Sequence, residues 1–314
     1  MSFSDLKKQS KLGSLTSKLV REVEKMNTTS GGDDRLWKPE VDKSGNGYAV
    51  IRFLPAPEGE DIPWVKMYSH AFQGPGGWYM ENSLTTLGSK DPVSEHNSQL
   101  WNSGSDANKE IARKQKRKLS YYANVYIVKD PANPSNEGGV FLYKFGKKIF
   151  DKIQEAMQPE FEDENAINPF DFWQGADFKI KIKKVAGFWN YDSSEFAAPS
   201  PLLSDDEALE ALWKKEYSLQ ELVSSDKFKS YDDLKTRLAY VLGNKSKPAA
   251  VIEEDTSRGQ YEDLSEGLNR ATETVAVATA SHDEDEDDAL SYFQKLAEES
   301  VSYTHLTLPT IREV

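Results

Sequence analysis

The chain has no cysteine among its 314 residues. That excludes disulfides and thiolate metal sites, and it fits a reducing compartment. No apolar run approaches the roughly 18 residues needed to span a bilayer. The polar N-terminus also lacks the apolar core of a signal peptide, so a soluble, intracellular protein with no membrane partner is expected. Histidine is scarce, at four residues, and His70 has no nucleophile or acid partner at a recognisable spacing. No glycine loop ending in Lys-Ser/Thr is present to cradle a phosphate. Carboxylates are plentiful, but they lie in linkers and at the C-terminal end, and no strand end presents the two or three that a two-metal nuclease needs.

Positive charge is in deficit overall, with a net charge of −13, which at first argues against a nucleic-acid binder. Its distribution points the other way. Residues 1–27 carry six basic and three acidic side chains, and residues 244–300 carry five basic and fifteen acidic. The middle is mildly acidic and must bind any polyanion through a local patch. Three electrostatically different parts follow: a basic arm (1–27), a central domain (28–243) and an acidic tail (244–300).

The richest stretch is Lys109 to Lys148. A basic cluster of Lys109, Arg113, Lys114, Lys116, Arg117 and Lys118 leads into LSYYANVYIVKD, a strand by its β-branched and aromatic content. Alternation groups Tyr121, Ala123, Val125 and Ile127 on one face and Tyr122, Asn124, Tyr126 and Val128 on the other. After a turn rich in Pro, Asn and Gly, GVFLYKFGKK returns with Tyr143, Lys144, Lys147 and Lys148. Cations beside rings suit single-stranded nucleic acid, because lysine and arginine neutralise phosphates while unpaired bases stack on flat rings. The plain alternative is a basic hairpin with core aromatics and solvated lysines.

Elsewhere in the arm, Leu12, Leu15, Leu19, Val23 and Met26 recur at helical spacing. Further strands are expected at GYAVIRFLP (47–55) and PWVKMYSHAF (63–72), the latter turning through QGPGG into WYMEN. Residues 83–106 read as a long irregular loop or subdomain, with Asp106 capping a short helix. A helix is expected from about Lys147 to Met157. DFKIKIKKVAGFWNY alternates Phe178, Ile180 and Ile182 against Lys179, Lys181 and Lys183, and Phe188 is the ring expected to be least exposed. Ser204 with Glu207 forms a capping-box pattern, and a last helix runs from about Tyr231 to Leu242, stopped by Gly243. Short strands with long connections and few helices predict a mainly β protein with helical additions, an OB-type barrel. The arm is expected to be flexible. The tail, poor in large apolar residues, is expected to be disordered, with a docking peptide around Asp283, Glu284, Asp285, Leu290 and Phe293. Residues 301–314 resemble non-native read-through and carry no functional argument.

NGYAVIRFLP, KRKLSYYAN, VKDPANPSNEGGVFLYKFGKKIFDKI, GFWNYDSSEF and DKFKSYDDL together resemble the single-stranded DNA-binding (helix-destabilising) protein family of T-even-like bacteriophages, across roughly Trp37 to Gly243. The resemblance implies an OB-fold core that coats single-stranded DNA, without sequence preference, in phage replication, recombination and repair, in the cytoplasm of the infected host. It implies DNA contacts at Trp78, Trp101, Tyr121, Tyr122, Tyr143, Phe188 and Tyr191. Cations accompany these rings at Lys114, Lys116, Arg117, Lys118, Lys144, Lys147, Lys181 and Lys183. It further implies cooperative self-association through the arm (Lys7, Lys8, Lys11, Leu12, Leu15, Leu19), and docking of phage replication and recombination proteins on the tail. The chain departs from the family at its structural zinc, which one His and three Cys hold. His70 stands at the His position, Ser83 at the first Cys position and His96 near the last. These histidines with Asp91 or Glu95 make a poor ligand set, and no cofactor is expected. The family's short basic–Ser/Thr sequence is also imperfect, with Leu119 in a hydroxyl position. Two rival readings stand beside this one: a metal-dependent nuclease, and a protein scaffold whose basic groove holds its own tail.

Overall fold

The computed structural model describes residues 33–161, 165–185 and 187–244. The arm and its Lys7, Lys8, Lys11, Leu12, Leu15 and Leu19 lie outside them, as do the tail residues Asp283, Glu284, Asp285, Leu290 and Phe293 and the segment 301–314. The strands are β1 (Leu36–Trp37), β2 (Gly47–Phe53), β3 (Val65–Gly74), β4 (Gly77–Asn82), β5 (Lys118–Lys129), β6 (Val140–Phe145), β7 (Phe178–Val185), β8 (Phe188–Asn190) and β9 (Glu195–Phe196). The helices are α1 (Pro92–Asn102), α2 (Asp106–Gln115), α3 (Lys147–Met157), α4 (Asp206–Trp213) and α5 (Tyr231–Val241).

The sheet is built on β5, whose twelve residues are long enough to serve two neighbours along one edge. Its first part runs antiparallel to β3, with Lys118 opposite Ser69 and Tyr122 opposite Val65. Its second part runs antiparallel to β2, with Val125 opposite Phe53, and its other edge carries β6, with Tyr121 opposite Phe145. The expected OB-type barrel is not what forms. The strand order is β1-β6-β5-β2-β7-β8, with β3, β4 and β9 branching from it. Among the described residues the two ends, β1 and β8, share no ladder. A barrel must pair every edge. Here the end strands are two and three residues long, too short for a closing seam and short enough to blunt the edge. The result is an open mixed sheet, with β1 parallel to β6 and helical insertions around it.

Alternation along β5 is as the sequence implies, but both of its faces are covered. Tyr121, Ala123, Val125 and Ile127 join Phe53, Phe145, Phe178 and the inward residues of α3, Ile149 and Ile153, in the main core. On the opposite face, Tyr122 packs with Val65, Met67, Leu142 and Leu219. The segment following α4 supplies that cover. Asn124 Nδ2 donates to the Tyr217 carbonyl at 2.8 Å and its Oδ1 accepts from Tyr217 N–H at 3.0 Å. Glu60 Oε1 accepts from Ser218 Oγ and from the N–H groups of Leu219 and Gln220. Arg52, fully buried, donates to Asp177 Oδ1 at 2.9 Å and to the Ser200 carbonyl at 2.9 Å, tying β2 to the connections around β7.

Three local expectations are corrected. Residues 83–106 are not one irregular loop. Asp91 accepts from Val93 and Ser94 N–H ahead of Pro92 at the first helical turn, a start signal that makes α1. Ser105, not Asp106, occupies the N-cap position of α2, and it makes no side-chain cap bond. Asp205, rather than Ser204, caps α4. Gly243, with φ of 78°, closes α5 in the left-handed conformation that the absence of a Cβ allows.

Candidate nucleic-acid interface

Where the chain leaves α2, Lys116 and Arg117 lead directly into β5, so register decides what the cations meet. The Arg117 guanidinium lies 4.0 Å from the centroid of the Tyr68 ring, a close cation–π stack. Tyr68 is itself held by Thr86, whose Oγ1 accepts from Tyr68 N–H at 2.9 Å and donates to its carbonyl at 3.3 Å. Lys144 stands opposite Tyr122, with its Nζ 5.7 Å from that ring. The Lys118 ammonium has its pKa pushed below the usual lysine value, first by the protein mass around it and then by the charges of Lys144 and Lys116. Cations gathered this closely repel one another, and a polyanion laid across them relieves that cost.

A second cationic surface is the β7–β8 ribbon. β2 pairs with β7 only as far as Ile182, so among the described residues β7 beyond that point has β8 alone beside it. Lys183 stands opposite Asn190, Lys184 opposite Trp189 and Val185 opposite Phe188. Lys184 Nζ is 5.7 Å from the Trp189 ring centroid. Phe188, expected to be the least exposed ring, is 58% exposed, because it sits at the free end of this ribbon. Tyr191 follows, half-buried and near enough to Tyr143 to help raise the pKa of its hydroxyl. A further cation–ring pair joins the helices, with Arg113 lying 5.5 Å from the Trp101 ring centroid. Lys114 is exposed in the last turn of α2, and Trp78 is half-buried opposite Gln73.

Three rings in the predicted set are placed differently. Tyr121 is 6% exposed and stacks on Phe150 at 4.0 Å between centroids, with Phe145 at 5.8 Å. Tyr143 is 3% exposed and contacts Trp37 at 5.4 Å and Phe145 at 5.5 Å. Burial drives its hydroxyl well above the ordinary tyrosine range. Tyr122 is 8% exposed, beneath Leu219. In the free protein, protein atoms cover most of the surface of these rings. Among the predicted cations, Lys147 pairs with Asp151 at 3.2 Å and Lys181 with Glu195 at 2.8 Å.

Sequence reasoning missed Tyr68, Arg113 as a ring partner, Lys184 and Trp189. The Lys-Lys shortly before GFW, and the alternation of Lys66 and Tyr68 with apolar Val65 and Met67, were the available signals. Among the described residues, no three His, Cys, Asp or Glu side chains gather as metal ligands, and no helix is long and apolar enough to cross a membrane.

Half-buried rings paired with cations, Tyr68 with Arg117, Trp189 with Lys184 and Trp101 with Arg113, define the class: a β-sheet protein with a surface suited to single-stranded nucleic acid. A family model described as gp32 DNA binding protein like matches residues 45–242, and the chain belongs to that family. The single-stranded DNA-binding protein of Enterobacteria phage T2 is 41% identical over 239 residues, covering 73% of this chain and 78% of the relative. That of Enterobacteria phage T4 is 41% identical over 238 residues with the same coverage. That of Enterobacteria phage RB70 is 38% identical over 115 residues, which is 34% of this chain and 95% of the relative.

Proposed function

We propose that this protein binds single-stranded DNA without sequence preference and coats it during phage DNA replication, recombination and repair. The observation that carries the reading is the Arg117 guanidinium lying 4.0 Å from the centroid of the Tyr68 ring, at the start of a strand whose Lys118 also feels the like charges of Lys144 and Lys116. That arrangement grips a sugar-phosphate chain and offers a ring to a base whatever its identity. Phe188, Trp189 and Trp101 supply further ring surface with Lys183, Lys184 and Arg113 beside them. Stacking and phosphate contact carry no base-edge readout, hence the tolerance of sequence.

The test is a titration of oligo-dT at several salt concentrations. Lys118→Ala is expected to lower the magnitude of the log–log salt slope by about 0.7, one phosphate contact on a single strand. A slope equal to the parent's overturns the assignment. The arm is proposed to link neighbouring protomers through Lys7, Lys8, Lys11 and the Leu12, Leu15 and Leu19 face. Deleting residues 1–27 then turns steep, cooperative isotherms on long DNA into independent ones. The tail around Asp283, Glu284, Asp285, Leu290 and Phe293 is proposed to dock replication and recombination proteins and to compete with DNA for the cations. Deleting His282–Ser300 is then expected to tighten DNA binding at low salt, and unchanged affinity would remove tail competition from the scheme.

A further inference from the structure

The family implies a structural zinc, and the residues that stand at its ligand positions do not fit one. Asp91 is buried and already accepts four hydrogen bonds. Its Oδ1 takes the N–H groups of Val93 and Ser94, each at 3.0 Å. Its Oδ2 takes Ser83 Oγ at 2.9 Å and Leu84 N–H at 3.1 Å. A carboxylate has about four lone-pair positions, and all are used. Burial raises the Asp91 pKa, but the neighbouring His70, with the Ser94 and Ser83 donors, outweighs it and brings the carboxyl down to about 2.

His70 donates from Nδ1 to the Gln115 carbonyl at 3.0 Å, and its Nε2 lies 3.3 Å from Asp91 Oδ1. Asn97 Nδ2 donates to the same carbonyl at 3.0 Å. One imidazole nitrogen thus remains as a donor to a metal. The other unengaged buried polar atoms of this part of the fold are neutral oxygens, Tyr79 OH, Asn97 Oδ1 and Gln115 Oε1. Structural zinc takes four ligands drawn from thiolates, imidazoles and carboxylates, and this set supplies one. Ser83, at the family's first Cys position, has become a donor to Asp91.

We infer that hydrogen bonds alone do here what the metal does in the family. The Asp91 hub fastens the end of β4 to the start of α1. The Gln115 carbonyl, shared by His70 of β3 and Asn97 of α1, fastens the end of α2 to both. The next residues are Lys116, Arg117 and Lys118, so the same junction fixes where the cationic run begins. The fold of this part, and the DNA binding proposed above, are therefore indifferent to zinc and to chelators.

The experiment uses the full chain, with metal content measured by plasma mass spectrometry and urea unfolding followed in EDTA, in buffer alone and with added zinc chloride. No stoichiometric metal and superimposable unfolding curves are expected. A structural zinc contributes so much folding free energy that its removal unfolds such a domain. One zinc per chain, or a midpoint that falls in EDTA, overturns the inference. Ser83→Ala and Asp91→Asn are expected to lower the midpoint equally with and without EDTA. Midpoints matching the parent's would show that the hub holds nothing. Oligo-dT affinity is measured in the same buffers. It depends on the proposed function, whereas metal content and unfolding do not. A parent protein that stays folded in EDTA yet binds no DNA in any buffer would sink that function and leave the metal-free junction standing.

Discussion

Glu216 offers a measurable consequence of the way the segment after α4 is laid over β5. Both of its carboxyl oxygens are buried without a hydrogen-bond partner, as is Glu60 Oε2. Burial, and then the Glu60 charge, raise its pKa from 4.5 to about 8. A folded pKa above the unfolded one means that the native state holds more protons between about pH 4.5 and 8, so stability falls as pH rises through that window. At 1.36 kcal/mol for each unit, the full displacement corresponds to about 4–5 kcal/mol. Relaxation of the side chain toward water leaves roughly 1–3 kcal/mol. Glu216→Gln removes the charge, and its amide can donate to the unpartnered oxygen of Glu60. The variant is expected to match the parent at about pH 5 and to exceed it by roughly 1–3 kcal/mol at about pH 9. Urea titrations followed by tryptophan fluorescence at both pH values measure the difference, and subtracting the parent cancels the titrating groups that do not interact with Glu216. A gain that is the same at both pH values, or absent at the higher one, refutes the reasoning.

Tyr143→Phe is expected to leave oligo-dT affinity unchanged, while Tyr143→Ala costs about 3–5 kcal/mol of stability through the cavity it opens, as urea unfolding would show. Phe188→Ala should do the reverse, altering stability by less than about 0.5 kcal/mol but weakening DNA binding by about 1–3 kcal/mol with no change in salt slope. Arg52→Met strands Asp177 without its partner and is expected to cost about 3–5 kcal/mol, read from the unfolding midpoint, with the salt slope of any folded fraction preserved.

How far the chain could be read in advance is clearest on β5. Period-two alternation correctly separates Tyr121 from Tyr122, because it is a property of the strand alone. It is silent on whether either face is wet. Tyr122 is covered by Leu219 and Asn124 is bonded to Tyr217, contacts supplied by a segment more than ninety residues downstream. The near-continuous apolar run YYANVYIV was the available warning, since strands buried on both faces lose their polar alternation. Closure of the sheet was likewise beyond reach. Strand count and length are local, whereas a barrel depends on which edges meet. The helix α1 was within reach, because Asp91 followed by Pro92 is a start signal that needs no tertiary information.

The cations show the same division, and here it bears on function. Lys181 and Lys118 both lie on strands rich in lysine, and composition treats them alike. The pairing of β7 with β9 sets Glu195 opposite Lys179 and within 2.8 Å of the Lys181 ammonium, so that charge is balanced inside the protein. The pairing of β5 with β6 brings Lys144 close enough to Lys118 for the two charges to oppose each other, with Lys116 adding to the opposition. A lysine serves a polyanion site when its register gives it positive neighbours rather than a carboxylate. The sequence names the lysines and leaves their neighbours to the sheet. That is why composition alone does not separate Lys118, opposed by the charges of Lys144 and Lys116, from Lys181, which pairs with Glu195.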